Sequence, residues 1–197
     1  MAAAALDGLL PLIDRPFVFF GHSMGALLAF ECGRLLAQHN GVKPEHLFVS
    51  GSSAPQLKNQ KRETHSSLPE QEFIEYLKTL NGTPPQVLQN PELLRLLLPV
   101  LRADFAACET YRYVPGPAIG CPIAAFGGIR DVDVPRDLLE GWREHAPEGA
   151  FSLSLLPGDH FFIHQSETIL INRLLHVLAP LLQRLQLGVM QATSLIQ

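Results

Sequence analysis

Apolar residues in this chain follow two rhythms. Short, mostly apolar runs occupy 17–20, 46–50, 122–126 and 151–156, each followed by Gly or Pro. In 17–20, 47–49 and 123–126 both alternating positions are apolar, as in parallel strands with both faces covered; in 151–156 the apolar residues are interrupted by Ser152 and Ser154. Between and around them, apolar residues recur every three or four positions. That spacing predicts helices over 2–13, 23–39, 70–79, 91–111, 135–145 and 166–187, with Pro99 and Pro180 expected to kink or break the two they fall in. Asn40-Gly41 supplies the stop signal of the second helix. Strands separated by helices predict an α/β fold, a mostly parallel sheet flanked by helices.

One segment departs from the alternation. From Gln56 to Pro117 there are helical patterns and no strand pattern, and the stretch 113–122 is a Pro/Gly-rich return. An all-helical segment that leaves the sheet just past the end of a strand reads as a lid. The expected organisation is therefore one domain, 1–197, with a helical lid insertion at 56–117. Phe73, Leu77, Leu97 and Phe105 are the candidates for an apolar lining beneath it.

Composition narrows the function. The chain is 47% hydrophobic and 17% charged, with a formal net charge of -4, which suits a globular protein and gives nucleic acid no basic surface. The Lys58, Lys61, Arg62 cluster is short enough to be a solvated loop. Cys32, Cys108 and Cys121 are odd in number and widely spaced, without Cys-x-x-Cys, so neither a disulfide framework nor a zinc site is indicated. No cofactor and no metal are expected. The apolar N-terminus lacks the basic start of a signal peptide and carries Asp7. The run 93–101 is interrupted by Arg95 and Pro99, where a membrane span needs about 20 apolar residues. The expectation is a cytoplasmic protein with no membrane partner; the sequence sets no oligomeric state.

The chemistry centres on Gly21-His22-Ser23-Met24-Gly25, between an apolar strand and an apolar helix. Strand, Gly-x-Ser-x-Gly and helix together form a nucleophile elbow, a turn tight enough to strain the serine backbone. Side chains at Gly21 and Gly25 are expected to clash with the neighbouring strand and helix. The helix start directs its N–H groups and positive dipole end at the reacting centre. Asp131 and His160 each follow a predicted strand, so serine, acid and base occur in the order of α/β-hydrolases and can meet at one sheet edge. Ser23 is the candidate nucleophile, His160 the base, and Asp131 the group that orients the imidazole. The Met24 N–H is a candidate oxyanion donor. Asp133 rivals Asp131, and His164 rivals His160. His22 reads as structural and directed away from the crevice, and Asp159 as a turn residue.

These runs, with Leu80-Asn81-Gly82-Thr83-Pro84, Leu101-Arg102-Ala103-Asp104, Ala125-Phe126-Gly127-Gly128 and Pro157-Gly158-Asp159-His160-Phe161-Phe162, resemble the type II (editing) thioesterases of nonribosomal peptide and polyketide synthases. Medium-chain fatty-acid-synthase thioesterases look similar. The resemblance implies an α/β-hydrolase fold and a serine thioesterase that removes acyl groups from the phosphopantetheine arm of acyl- or peptidyl-carrier proteins. Ser23, Asp131 and His160 fall on the family's triad. The alternatives are a carboxylesterase or lipase-like hydrolase, or a catalytically weakened truncated remnant. Family members carry further N-terminal strands and a Gly-rich loop with a second oxyanion donor. By that comparison the fold is N-terminally incomplete, with the elbow strand at the sheet edge. A missing donor typically costs about 10²–10³ in rate.

Overall fold

The computed structural model of the protein describes residues 1–59 and 64–194. In chain order the elements are α1 (Ala2–Leu9), β1 (Phe19–His22), α2 (Met24–Asn40), β2 (Leu47–Ser50), α3 (Glu70–Leu80), α4 (Pro85–Leu88), α5 (Pro91–Thr110), β3 (Ile123–Gly128), α6 (Arg136–Glu140), β4 (Phe151–Leu156), α7 (Phe162–Gln165) and α8 (Glu167–Ser194). Short 3₁₀ turns follow α1, β2 and α6, at Leu10–Leu12, Pro55–Asn59 and Gly141–His145.

The four strands form one parallel sheet in the order β1-β2-β3-β4. The central strands β2 and β3 are buried at every position, which matches their unbroken apolar sequences. Alternation then sorts the side chains by face. Leu47, Val49, Ile123 and Ala125 pack with Ala26 and Phe30 of α2 and with Trp142, while Phe48, Ala124 and Phe126 pack with Phe162 and Leu170. Helix α2 thus covers one face and α8 the other. β1, the strand that leads into Ser23, is an edge strand; among the described residues β2 is its only partner.

The helical segment between β2 and β3 has a small core of its own, in which Phe73, Ile74 and Leu77 of α3 meet Leu94 and Leu98 of α5. Polar contacts brace it internally and anchor it to α2. Glu109 accepts hydrogen bonds from the His65 and Ser66 N–H groups at 2.7 and 3.1 Å, and from the Ser66 hydroxyl. Beyond the end of α5, the Tyr111 hydroxyl donates to Glu31 of α2 at 2.6 Å, and Arg34, itself bonded to Glu31, donates to the Val114 carbonyl at 2.9 Å.

Several local expectations shift. β1 runs two residues later than its apolar run, and β3 takes in Gly127 and Gly128, because ladder pairing to β2 and β4 overrides the glycine turn signal. Pro99 and Pro180 break neither helix: α5 and α8 run through them. Lys61 and Arg62 lie outside the described residues. Among the described residues no helix is long and apolar enough to cross a membrane.

Candidate active site

The turn from β1 into α2 is built around a backbone that few residues adopt. Ser23 has φ 53° and ψ −115° and is one of two non-glycine residues with positive φ, the other being Asn81, among the described residues. Such a conformation costs on the order of 1–3 kcal/mol and persists where surrounding structure imposes it. Here the Ser23 N–H is held by the Ser50 carbonyl at 2.7 Å, and α2 begins at the next residue. Gly21 is sterically required, since a Cβ there would lie 2.1 Å from the Gly25 carbonyl oxygen and 2.3 Å from its carbon. Gly25 is not: nothing lies within 4 Å of a Cβ at that position, which corrects the expectation of a second clash. Met24 is the first helical residue, so its N–H belongs to the first turn, whose donors have no acceptor within the helix.

His160 joins the ends of three strands. Its Nε2 is 3.0 Å from Ser23 Oγ, and its Nδ1 is 2.8 Å from Asp131 Oδ2. With the proton on Nδ1 the imidazole donates to Asp131, leaving Nε2 to accept the Ser23 hydroxyl proton. Asp131 lies in the turn after β3, only 6% exposed. Its other oxygen accepts the N–H groups of Asp133 and Val134, both at 3.0 Å. Burial acts to raise the Asp131 pKa, but the hydrogen bond and charge of His160 and those two N–H groups outweigh it and hold the carboxyl below its ordinary value. Asp133 is exposed and contributes its backbone N–H to the turn. His164 is exposed on α7 and stacks on Phe161 at a centroid distance of 6.2 Å.

His22 is closer to the centre than its sequence position suggested. Its ring lies 5.3 Å from the rings of both His160 and Phe161, and it lines the same cavity. Nδ1 is 2.9 Å from the Ser50 hydroxyl, and Nε2 is buried without a partner among the described residues. Burial, then the charge of His160, lower its pKa to about 4, so His22 is neutral at physiological pH.

Ser23 and His160 open into a cleft of about 720 Å³. The helical segment forms much of its wall, through Tyr76, Leu80, Leu101 and Phe105. Of the four lining candidates, Phe105 alone has that place. Phe73 and Leu77 are core residues of the segment, and Leu97 is 39% exposed. Tyr76 lies just off the apolar stripe of α3, so helical spacing does not assign it to the wall; its stacking on His65 at 3.8 Å is a contact that only the fold creates.

A parallel sheet, a strained serine at the turn out of one strand, and an imidazole hydrogen-bonded to that serine and to a buried carboxylate define an α/β protein equipped for acyl transfer. The chain belongs to the thioesterase family, hydrolases of thioester bonds: the family model described as "Thioesterase domain" matches residues 1–178. It is 48% identical over 174 residues to the gramicidin S biosynthesis protein GrsT of Aneurinibacillus migulanus, covering 86% of this chain and 67% of that one. The structure of BorB, a type II thioesterase from the borrelidin biosynthetic cluster, superposes with a TM-score of 0.79 at 36% identity, covering 89% of this chain and 70% of that one. YbtT, a type II thioesterase from the yersiniabactin nonribosomal peptide and polyketide pathway, superposes with a TM-score of 0.76 at 32% identity, covering 89% and 71%. The chain thus spans about two thirds of the length of these relatives.

Proposed function

We propose that this protein hydrolyses acyl thioesters carried on the phosphopantetheine arm of acyl- or peptidyl-carrier proteins, removing acyl groups from nonribosomal peptide, polyketide or fatty acid synthases. The observation that carries the reading is the hydrogen-bonded chain Ser23–His160–Asp131, whose serine and histidine line a cleft walled by apolar side chains together with polar ones such as Lys58, His65 and Asp104. The relatives' association with such pathways supports the substrate class, and the same reading has the protein work in the cytoplasm beside the synthases it would serve.

In this mechanism Ser23 Oγ attacks the thioester carbonyl carbon while His160 Nε2 takes its proton. The tetrahedral oxyanion accepts a hydrogen bond from the Met24 N–H, assisted by the dipole of α2. Collapse breaks the C–S bond, and the imidazolium returns the proton to the departing pantetheine sulfur. Water, deprotonated by His160, then attacks the acyl-serine; the acid leaves and Ser23 recovers its proton. Asp131 holds the imidazole tautomer throughout and stabilises its charged form. The helical segment 56–117 acts as a lid whose inner wall contacts the acyl chain.

The test compares acyl-pantetheine thioesters with p-nitrophenyl esters of the same acyl groups, using the protein and Ser23→Ala. The reading expects thioester turnover that exceeds ester turnover and vanishes in Ser23→Ala, together with loss of fluorophosphonate labelling. Faster ester than thioester turnover would make the protein an esterase, and labelling that persists in Ser23→Ala would remove Ser23 as nucleophile.

A further inference from the structure

Asn81-Gly82 ends α3, a helix of the segment that walls the cleft, and touches the loop that carries His160. Asn81 is left-handed, φ 56°, and caps α3 through its N–H to the Lys78 carbonyl. Its side-chain Nδ2 donates to Asp159 Oδ2 at 3.1 Å. Gly82 lies so close to Phe161 that an added Cβ would come within 2.1 Å of the ring.

Asp159 in turn brackets His160. Its Oδ1 accepts the Phe161 N–H at 3.1 Å, spanning His160, while Oδ2 takes Asn81 and also the Gln165 side chain at 3.0 Å. From the opposite side the same loop rests on β3, where a Cβ at Gly128 would meet the Asp159 carbonyl oxygen at 2.2 Å and the Gly158 carbonyl oxygen at 2.8 Å. Gly158 has φ +135°, which other residues rarely adopt, so the loop depends on flanking contacts to hold one course. His160 therefore sits on a short loop gripped by β3 on one side and by the helical segment on the other.

We infer that Asn81 is a positioning residue: by binding Asp159 it latches the helical segment to the histidine loop and sets His160 against Ser23, so that docking of the segment and readiness of the nucleophile are one event. The inference rests on the reading of His160 as the base in the proposed function. Asn81 touches neither the serine nor the imidazole and acts only through Asp159.

Three variants test it. Asn81→Gly keeps the left-handed backbone and deletes the amide. Asn81→Asp sets two carboxylates face to face. Asn81→Asp combined with Asp159→Asn restores the donor–acceptor pair between the two positions with the roles exchanged, while giving up the bond that Asp159 Oδ2 accepts from Gln165, a loss that Gln165→Ala measures by itself. The expected result is a three- to tenfold fall in kcat for both single variants, about the effect of one hydrogen bond, with KM within about twofold. The rate of Ser23 labelling by a fluorophosphonate should fall in parallel, and the double variant should recover both. The downfield proton resonance of the His160–Asp131 pair should broaden in Asn81→Asp and return in the double variant. A labelling rate and resonance unchanged in both single variants, or a double variant no better than Asn81→Asp, overturns the latch. Labelling and the resonance need no thioester. If they follow the pattern while no variant turns over a thioester, the substrate assignment fails and the latch stands; intact turnover with flat labelling removes the latch alone.

Discussion

Asp131 and His160 meet at 2.8 Å, although 29 positions separate them, and the second oxygen of Asp131 is fully engaged by the N–H groups of Asp133 and Val134. The carboxylate is thus held by its own turn as well as by the imidazole. Asp131→Asn should lower thioester turnover by about 10³–10⁴, because the amide disturbs the imidazole tautomer that the serine needs. Asp133→Asn, at an exposed position whose N–H is unaffected, should stay within about twofold. Turnover of both variants at matched thermal stability decides it, and a larger loss at Asp133 would reverse the assignment.

The two glycines of the elbow should behave differently. Gly21→Ala places a methyl against the Gly25 backbone, which cannot step aside. The loss should reach about 3 kcal/mol or more, seen as a lower denaturant midpoint or an insoluble product. Gly25→Ala enters open space at the start of α2 and should be neutral or stabilising by up to about 1 kcal/mol. Similar losses at both positions would contradict the packing described for this turn.

Acyl-chain preference should respond to Leu101 and not to Phe73. Leu101 lines the cleft, and Leu101→Phe should move the optimum toward shorter chains. Phe73 is fully buried between α3 and α5, so Phe73→Leu should destabilise by about 1 kcal/mol or more and leave the profile unchanged. Rates across a series of acyl-pantetheines, beside melting temperatures, separate the two effects. A profile moved by Phe73→Leu alone would place the chain elsewhere.

Stability should fall in acid, in part through His46. Its ring stacks on Phe48 at 4.4 Å, its Nε2 is buried without a partner among the described residues, and burial lowers its pKa to about 4. The unfolded chain, with the ordinary value of 6.5, takes up the proton first as the pH drops. His46 therefore contributes stability above about pH 6.5 that is progressively lost toward pH 4. His22 and His145, also lowered to about 4 chiefly by burial, act in the same direction. His46→Phe should become more stable relative to the parent between about pH 7 and pH 4.5. A difference in melting temperature that does not change with pH would exclude His46 from the acid response.

The existence and order of the strands and main helices were legible along the chain because each rests on local periodicity: four apolar runs became four parallel strands, and the 3.6-residue stripes became helices. The elbow was legible for the same reason, since Gly21 and Ser23 answer to a turn only a few residues long. Other features needed the packed molecule. Gly127 and Gly128 read locally as a turn, but pairing with Leu155 and Leu156 draws them into β3. The rotation of α3 that buries Phe73 and Leu77 and leaves Tyr76 facing the cleft is set by Leu94 and Leu98, residues of another helix. The pairing of His160 with Asp131 rather than Asp133 depends on how the turn after β3 curls beneath the loop after β4. Ser23 and His160 are 137 positions apart, and the contact between Asn81 and Asp159 spans 78. Periodicity is a short-range property of the chain, whereas these contacts exist only after the sheet and helices have closed the distance between them.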